Sequence, residues 1–471
     1  MGFLSFSKRF WLISRISIRL LLKRQISPEI RLRLFFERAG GAFIKLGQIL
    51  SLRHDLIPAR YANELLNLLS QVRVLPYPAM RQVFIDEVGR PPEAVFKKFE
   101  TKPIASASIS QVYRALLPDG TPVVVKIQWP GISQIFETDF MLARWLGRGL
   151  SFFHIFNSFQ IQDVVKEFIV WSRRELDFRA ELINSQVIAR HSEQHPRTII
   201  PRYYTEWSTE RVLVSEDMAE VLSVETVLKE LERDPEYREK LVTEHNIHTE
   251  DLAYYFVFDI MRQYFIDGFF HADPHPANLF FAADNRLGYF DFGIIGQVGK
   301  SRLHLLRIIY GIARRDLAFS SKHFLRFAKT AVTDEIDLFK TKEPNTYKRY
   351  AKVINKLEEI MLDNLQTDLE GILAPWYEEK TPASPSGRPA GYKHLTSSLV
   401  FSRILIKTRD YQIYLPREIV IFFRTLVIAD MVAIKLAPGF DIIRALNSFF
   451  ESYPLGVAEE LIITRTKEAK L

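Results

Sequence analysis

The chain has 471 residues, 47% of them hydrophobic and 13% aromatic, enough to bury a sizeable core over two to three domain-sized units, so extended disorder is not expected. Cysteine is absent, which excludes a disulfide-stapled secreted domain and a thiolate zinc site. The 63 Lys and Arg against 56 Asp and Glu leave a net charge of +7, an excess that favours anionic partners such as nucleotide phosphates or acidic lipid headgroups and is too modest for a nucleic-acid footprint.

Residues 1–24 mix large apolar side chains (Phe6, Phe10, Trp11, Leu12, Ile16 and Ile18 among them) with Lys8, Arg9, Arg15, Arg19, Lys23 and Arg24. Two readings stand side by side: a basic amphipathic helix lying on an anionic membrane, and a helix packed on its own protein. No signal peptide is expected, because Arg15 and Arg19 break the apolar run and no small-residue cleavage site follows. From Pro28 to about Phe99 the pattern is helical, punctuated by Gly40-Gly41 and by Pro76 and Pro78. Gln111–Leu117 and Val123–Gln128 are β-type runs around Pro118-Asp119-Gly120-Thr121, a hairpin signal that opens a small antiparallel sheet.

Helical periodicity then runs from about Ile132 to Arg190, read as one long helix of a small lobe, and a short strand Arg211–Ser215 precedes Glu216. Glu216 to Ala219 is expected to form a hinge. A second hairpin joins Leu279–Phe281 to Leu287–Asp291, and Trp376–Lys393 carries enough Pro, Gly and Ser to be a surface loop. Ile419–Lys435 is apolar but interrupted by Arg424, Asp430 and Lys435, so it is expected to be a buried helix and not a membrane span.

The chemistry concentrates in His271-Ala-Asp273-Pro-His275-Pro-Ala-Asn278, followed by the hairpin and Asp291-Phe292-Gly293. Phosphoryl transfer spreads negative charge over phosphate oxygens, so it needs hard oxygen ligands for Mg²⁺ and a carboxylate to orient the attacking group. A protein-kinase catalytic loop places its Asn five positions after its Asp, with an Asp-Phe-Gly metal ligand beyond a hairpin, and Asp273, Asn278 and Asp291 follow that order. Lys126, in Val-Val-Val-Lys-Ile, suits an ammonium held over nucleotide phosphates. Glu181, in the helical stretch Ser172–Asn184, is its expected carboxylate partner. Between Pro103 and Gln111, Ala105, Ser106, Ala107 and Ser108 stand where an ordinary kinase has a glycine-rich nucleotide loop, which restricts backbone freedom and makes ordinary protein phosphorylation less expected. An H-x-D-x-H metal cluster built from His271, Asp273 and His275 is the competing view of the same loop, and it leaves Lys126, Asn278 and Asp291 without a role.

Read together, these residues resemble the UbiB/AarF family of atypical kinases. Lys45-Leu-Gly-Gln48 is similar to the family's Lys-x-Gly-Gln motif, Ala105-Ser-Ala-Ser108 to its alanine-rich loop, Glu175-Leu-Asp177 to its Glu-x-Asp motif, and Phe270–Asn278 to its catalytic loop. The departures are Ser106, Ser110 and Ala277, where many members have Ala, Gly and Gly, and the expected lack of a transmembrane hairpin after Leu471. The resemblance implies an α+β, protein-kinase-like two-lobed fold with helical N-terminal and C-terminal extensions. The expected domains are 1–100, carrying the Lys-x-Gly-Gln motif, 101–219 as the small lobe, 220–330 with the catalytic loop, and 331–471 as the C-terminal extension.

The resemblance also implies ATP or ADP with Mg²⁺ as cofactors. Asn278 and Asp291 would hold the metal, Lys126 and Glu181 the phosphates, and Asp273 would orient water or a hydroxyl. Ala105 to Ser108 and Glu216 would contact the nucleotide, while Lys45 and Gln48, with Glu175 and Asp177, would restrain access. Support of ubiquinone or other isoprenoid-quinone synthesis is the implied role, with prenyl-lipid intermediates, an anionic membrane surface and quinone-biosynthesis proteins as partners. The implied place is the cytoplasmic face of the membrane, bound peripherally. The rival readings are a small-molecule phosphotransferase and a nucleotide-gated lipid-binding scaffold without turnover.

Overall fold

The computed structural model describes residues 2–23, 25–50, 57–65, 68, 74–107, 109–152, 158–234, 236–299, 301–327, 344–377 and 417–468, with a few single positions between 397 and 407. Arg53, His54, Asp55, Ser108, the side chain of Gln48 and residues 378–393 of the expected loop lie outside the described set. The chain divides into two compact units, residues 1–187 with 201–219, and residues 188–200 with 220–471.

The first unit opens with six helices: α1 (Gly2–Leu21), α2 (Pro28–Ala39), α3 (Ala42–Leu50), α4 (Ala59–Leu65), α5 (Tyr77–Val88) and α6 (Pro92–Val95). Gly40 and Gly41 both take positive φ, 62° and 57°, which lets α2 and α3 follow each other with a two-residue break that a side chain would strain. Ile13 of α1, Phe36 of α2, Phe43 and Ile44 of α3 and Leu65 of α4 close one apolar cluster.

A five-stranded antiparallel sheet follows, in the order Lys98–Phe99, Ser110–Leu116, Pro122–Gln128 and Val212–Glu216, with Ala105–Ser106 also paired to Ser110–Leu116. The segment expected as the nucleotide loop begins in a strand, Ala105 facing Val112 and Ser106 facing Gln111 in register. Strand periodicity sends Val123, Val125 and Ile127 into a core with Met80 and Phe84 of α5, and turns Lys126 to the opposite face.

The expected long helix is instead three: α7 (Ile132–Phe152), α8 (Ser158–Glu175) and α9 (Phe178–Ser192). The α8–α9 break has a local cause. The Asp177 carboxylate accepts the Arg179 backbone N–H at 3.0 Å and so caps the start of a new helix. Strand Lys98–Phe99 likewise ends the helical run expected up to that point.

In the second unit, a four-stranded sheet runs Thr198–Ile199, Arg286–Tyr289, Leu279–Ala282, Leu222–Ser223, and a two-stranded ribbon pairs Phe269–His271 with Ile295–Gln297. Asp284 and Asn285, both at positive φ, turn the hairpin between Leu279–Ala282 and Arg286–Tyr289. The helix Thr249–Met261 packs along Arg417–Leu436, which contains the expected buried helix, and its last turn continues as a π-turn, Arg262–Asp267. Trp376 and Tyr377 complete the helix Pro344–Tyr377; they do not open a loop. No described helix is long and apolar enough to cross a membrane.

Candidate active site

Two of the first unit's ion pairs join residues expected at the site. Lys126 Nζ lies 2.9 and 3.2 Å from the two carboxylate oxygens of Glu181, beneath the Phe178 ring at 5.0 Å. Glu181 sits in the first turn of α9, where the helix dipole favours a carboxylate, and is 7% exposed. Lys45 of α3 reaches Glu175, the last residue of α8, at 2.9 Å. Both pairs are largely sheltered, so they are screened less than surface pairs.

The Glu-x-Asp motif divides its labour. Glu175 pairs with Lys45, while Asp177 binds the Arg179 guanidinium at 2.8 Å as well as capping α9, and that hydrogen bond holds its carboxyl below the ordinary range. Glu216 ends its strand exposed, its carboxylate accepting the Arg202 backbone N–H at 3.1 Å. Ala107 donates its N–H to the Ser110 carbonyl at 2.8 Å.

Gly47, within Lys-Leu-Gly-Gln, has a steric reason to be glycine. A Cβ there would lie 2.5 Å from Leu68 and 2.9 Å from Phe36. Sequence reasoning missed Asp139 of α7, whose side chain is fully buried and accepts from Arg9 at 2.7 and 2.9 Å and from the Ala42 backbone N–H at 3.0 Å. Burial pushes its carboxyl above the ordinary value despite Arg9.

In the second unit, His271 ends a strand with its ring fully buried. Its Nε2 faces two carbonyl oxygens, Phe290 at 3.1 Å and Asp291 at 2.9 Å, so this nitrogen carries the proton and donates. Desolvation lowers the pKa of His271 and keeps the ring neutral. The imidazole Nε2 is thus spent on the backbone of Phe290 and Asp291, and among the described residues no three His, Asp or Glu side chains converge to hold a metal, so the H-x-D-x-H cluster is not assembled.

From His271 the chain makes a tight turn, with His275 N–H donating to the Asp273 carbonyl at 2.8 Å, and a 3₁₀ turn Pro276–Asn278 capped by the His275 ring. Asn278 Nδ2 donates to the Asp273 carbonyl at 3.1 Å and lies 3.5 Å from Asp273 Oδ2. Asp291 holds φ at 53°, a left-handed conformation uncommon for any residue but Gly and best tolerated by Asn and Asp. Its Oδ1 accepts the Gly293 N–H at 3.1 Å.

Arg424 is the second residue that sequence reasoning missed. Its Nη2 donates to Asp273 Oδ1 at 2.8 Å, and the neighbouring Thr425 hydroxyl donates to the Ala272 carbonyl at 3.3 Å. A cation in the middle of the apolar run Ile419–Ala429 was the available signal, because such a charge needs a partner where it is sheltered.

Behind the loop, the fully buried Asp259 accepts from Arg262, Gln263, Thr198 and Tyr289. Burial alone would raise its carboxyl, but Arg262 and the other donors outweigh it and hold it low. Gln263 in turn accepts the His271 backbone N–H at 2.9 Å, so a satisfied polar network fixes the strand that leads into the loop.

The ABC1 atypical kinase-like domain matches residues 67–323. The uncharacterised protein slr0889 of Synechocystis sp. is 33% identical over 287 residues, 59% of this chain and 68% of that one. A protein named probable protein kinase UbiB, from Pseudomonas fluorescens strain SBW25, is 32% identical over 303 residues, 62% of this chain and 53% of its own length. The chain thus spans about half the length of that UbiB relative. The solved Rv3197–erythromycin complex of Mycobacterium tuberculosis gives a TM-score of 0.43 at 22% identity, over 85% of this chain and 93% of that one. A domain match that takes in more than half of the 471 residues, from the start of the sheet-bearing region through the Asp273, Asn278 and Asp291 loops, places this chain in the ABC1 atypical kinase-like domain family.

Proposed function

We propose that the chain is an atypical kinase-like ATPase that binds a magnesium nucleotide and works at a membrane surface in support of ubiquinone or another isoprenoid-quinone pathway. The observation that carries this reading is the catalytic loop. Asp273 and Asn278 are folded onto each other, and His271 ties the same loop to the Asp291 backbone.

The donor chemistry fits Mg²⁺. Asn278 donates through Nδ2 and so turns its amide oxygen away from that bond, and Asp291 adds a carboxylate, which makes a hard-oxygen set. When bound with nucleotide, the ion would neutralise charge developing on the phosphate oxygens. Lys126, steadied by Glu181, supplies a fixed ammonium for the α- and β-phosphates. Asp273 has one oxygen held by Arg424, so the other is the one left to orient water or an acceptor hydroxyl.

The Lys45–Glu175 pair restrains the site by fixing α3 to α8. Residues 1–100 then act as a regulatory extension, 101–219 and 220–330 as the two kinase-like lobes, and 331–471 as the helical extension whose Arg424 completes the loop. ATP or ADP, prenyl-lipid intermediates and quinone-biosynthesis proteins are the partners this reading names.

Phosphate release from Mg-ATP by wild type and by Asp291→Asn, with and without anionic liposomes carrying a phenolic prenyl-lipid analogue, tests it. Lipid-stimulated release that the variant loses is expected. Nucleotide binding with no release under any condition would make the chain a sensor or scaffold instead.

A further inference from the structure

The described part of α1 has two faces of different fate. Ile13, Ile16 and Leu20 are buried, and Arg9 is drawn inward to Asp139. On the opposite side Trp11, Leu12, Ile18 and Leu22, just past the helix end, are open to solvent, Trp11 at 72% and Leu22 at 76% exposure. Lys8, Arg15 and Arg19 share that side and are likewise exposed. Spacings of three and four residues through positions 8 to 22 make these one continuous stripe.

A second stripe lies beside it on α7, and nothing in the composition of residues 1–24 announces it. Met141, Arg144, Trp145 and Arg148 are exposed at the same helical spacing, Trp145 at 56%. The two helices pack together, with the Phe10 and Trp145 rings edge to face at 5.7 Å. Each stripe alternates large apolar side chains with cations, and the carboxylate that precedes the second one, Glu137 one turn before Met141, is paired with Arg173 at 3.0 Å. No Asp or Glu precedes Glu29 in the chain.

We infer that the α1 and α7 stripes form one platform that docks on an anionic phospholipid bilayer. A solvated helix face would not spend two tryptophans and four further large apolar side chains on water, and a protein groove would not ask for a cation at every turn. A bilayer interface asks for both, because indole rings settle at the headgroup level and long basic side chains reach the phosphates around them. Each basic residue near an acidic leaflet strengthens partitioning about fivefold at low salt. Docking rests on the membrane part of the proposed function and is independent of its chemistry.

Flotation of the full chain with phosphatidylcholine vesicles, with and without phosphatidylglycerol, tests the platform. Wild type is expected to float with the anionic vesicles, to release as salt rises, and to float poorly with phosphatidylcholine alone. Arg15→Glu with Arg19→Glu should weaken partitioning by at least tenfold, and Trp11→Ser by severalfold, each with unchanged circular dichroism. Brominated lipid should quench tryptophan emission in wild type, and Trp11→Phe should lose part of that quenching.

Unchanged flotation in both variants overturns the platform. So does binding to neither vesicle, including the case where sedimentation shows self-association that Trp11→Ser abolishes, which would give the stripe to a second copy of the chain. Phosphate release measured on the same samples with and without vesicles separates the two readings: docking with no turnover in either condition leaves the platform standing and removes the ATPase.

Discussion

Lys45 Nζ and Glu175 Oε2 stand 2.9 Å apart and join α3 to the last residue of α8, two residues before the carboxylate that caps α9, the helix of Glu181. The pair therefore sits one short joint away from the Lys126 partner. Replacing Lys45 with Ala should free α3 without touching Lys126. We expect phosphate release from Mg-ATP to rise, by up to about tenfold if the pair contributes roughly 1.4 kcal/mol to holding the restrained state. A rate that drops to background would show that Lys45 takes part in the chemistry instead.

Lys126→Met should lower kcat/KM for Mg-ATP by about two orders of magnitude, on the order of 3 kcal/mol of transition-state stabilisation, and should also lower the melting temperature, because the sheltered Glu181 carboxylate loses this cation. Glu181→Gln should cost less, because the ammonium remains but loses its fixed position. Steady-state kinetics beside melting curves checks both. Equal activity in wild type and Lys126→Met would remove the lysine from the site.

For Arg424→Ala, the Asp273 carboxylate loses the donor at Oδ1 and gains rotational freedom. A fall in kcat of about tenfold, with KM for Mg-ATP moved less than about threefold, is the expected split for a residue that positions another. Arg424→Lys should recover part of the rate, limited by the loss of planar guanidinium geometry. A change confined to melting temperature would make Arg424 a structural residue only.

Gly47→Ala sets two effects against each other. Alanine in a helix interior is favoured over glycine by about 1 kcal/mol. The new Cβ, however, would stand 2.5 Å from Leu68 Cδ1 and 2.9 Å from Phe36, and overpacking of this kind typically costs about 1–3 kcal/mol. The melting temperature should therefore fall by a few degrees. A rise would mean that α3 and its neighbours are not this close.

Acid should destabilise the second unit through His191, whose pKa burial and nearby Arg465 and Arg262 lower to about 4. Below the unfolded value near 6.5, the unfolded chain takes up a proton that the folded one refuses, so stability is lost as pH falls from 6.5 towards 4. Asp267 works the other way. Burial raises its carboxyl to about 6 despite Arg262 and Arg465, so over the window from 6 down to its unfolded value acidification favours the folded form. His191→Gln should remove its own contribution and make the loss of melting temperature between pH 6.5 and 4 shallower without abolishing it, because burial also lowers His323 of the same unit to about 4 and its contribution has the same sign. An unchanged pH slope would assign the loss to other groups.

The family and the fold class were legible in the sequence because their signals are local. Asp273, Asn278 and Asp291 lie within nineteen positions of one another, and the alternation of Val123, Val125 and Ile127 already tells on which strand face Lys126 falls. Arg424 was not legible as a partner of Asp273, since 151 residues separate them and only tertiary folding brings them together. The same holds for Arg9 and Asp139, 130 positions apart. The α8–α9 break was missed for a different reason: Leu176 and Asp177 preserve the apolar period of a continuous helix, and the capping hydrogen bond from Arg179 overrides it.

The buried carboxylate of Asp139 has a practical consequence for anyone trimming the protein. A chain shortened to begin at Pro28 would look harmless, since it discards only a basic, amphipathic first helix. It would also discard Arg9, and with it the only cation bonded to Asp139 among the described residues, leaving a desolvated charge answered by a single backbone N–H at the start of α3. Breaking a buried pair from one side in this way typically costs about 3–5 kcal/mol, a large share of the roughly 5–15 kcal/mol that holds a domain folded. Residues 2–21 behave as an internal part of the fold, and expression trials that remove them should be expected to yield a less stable protein.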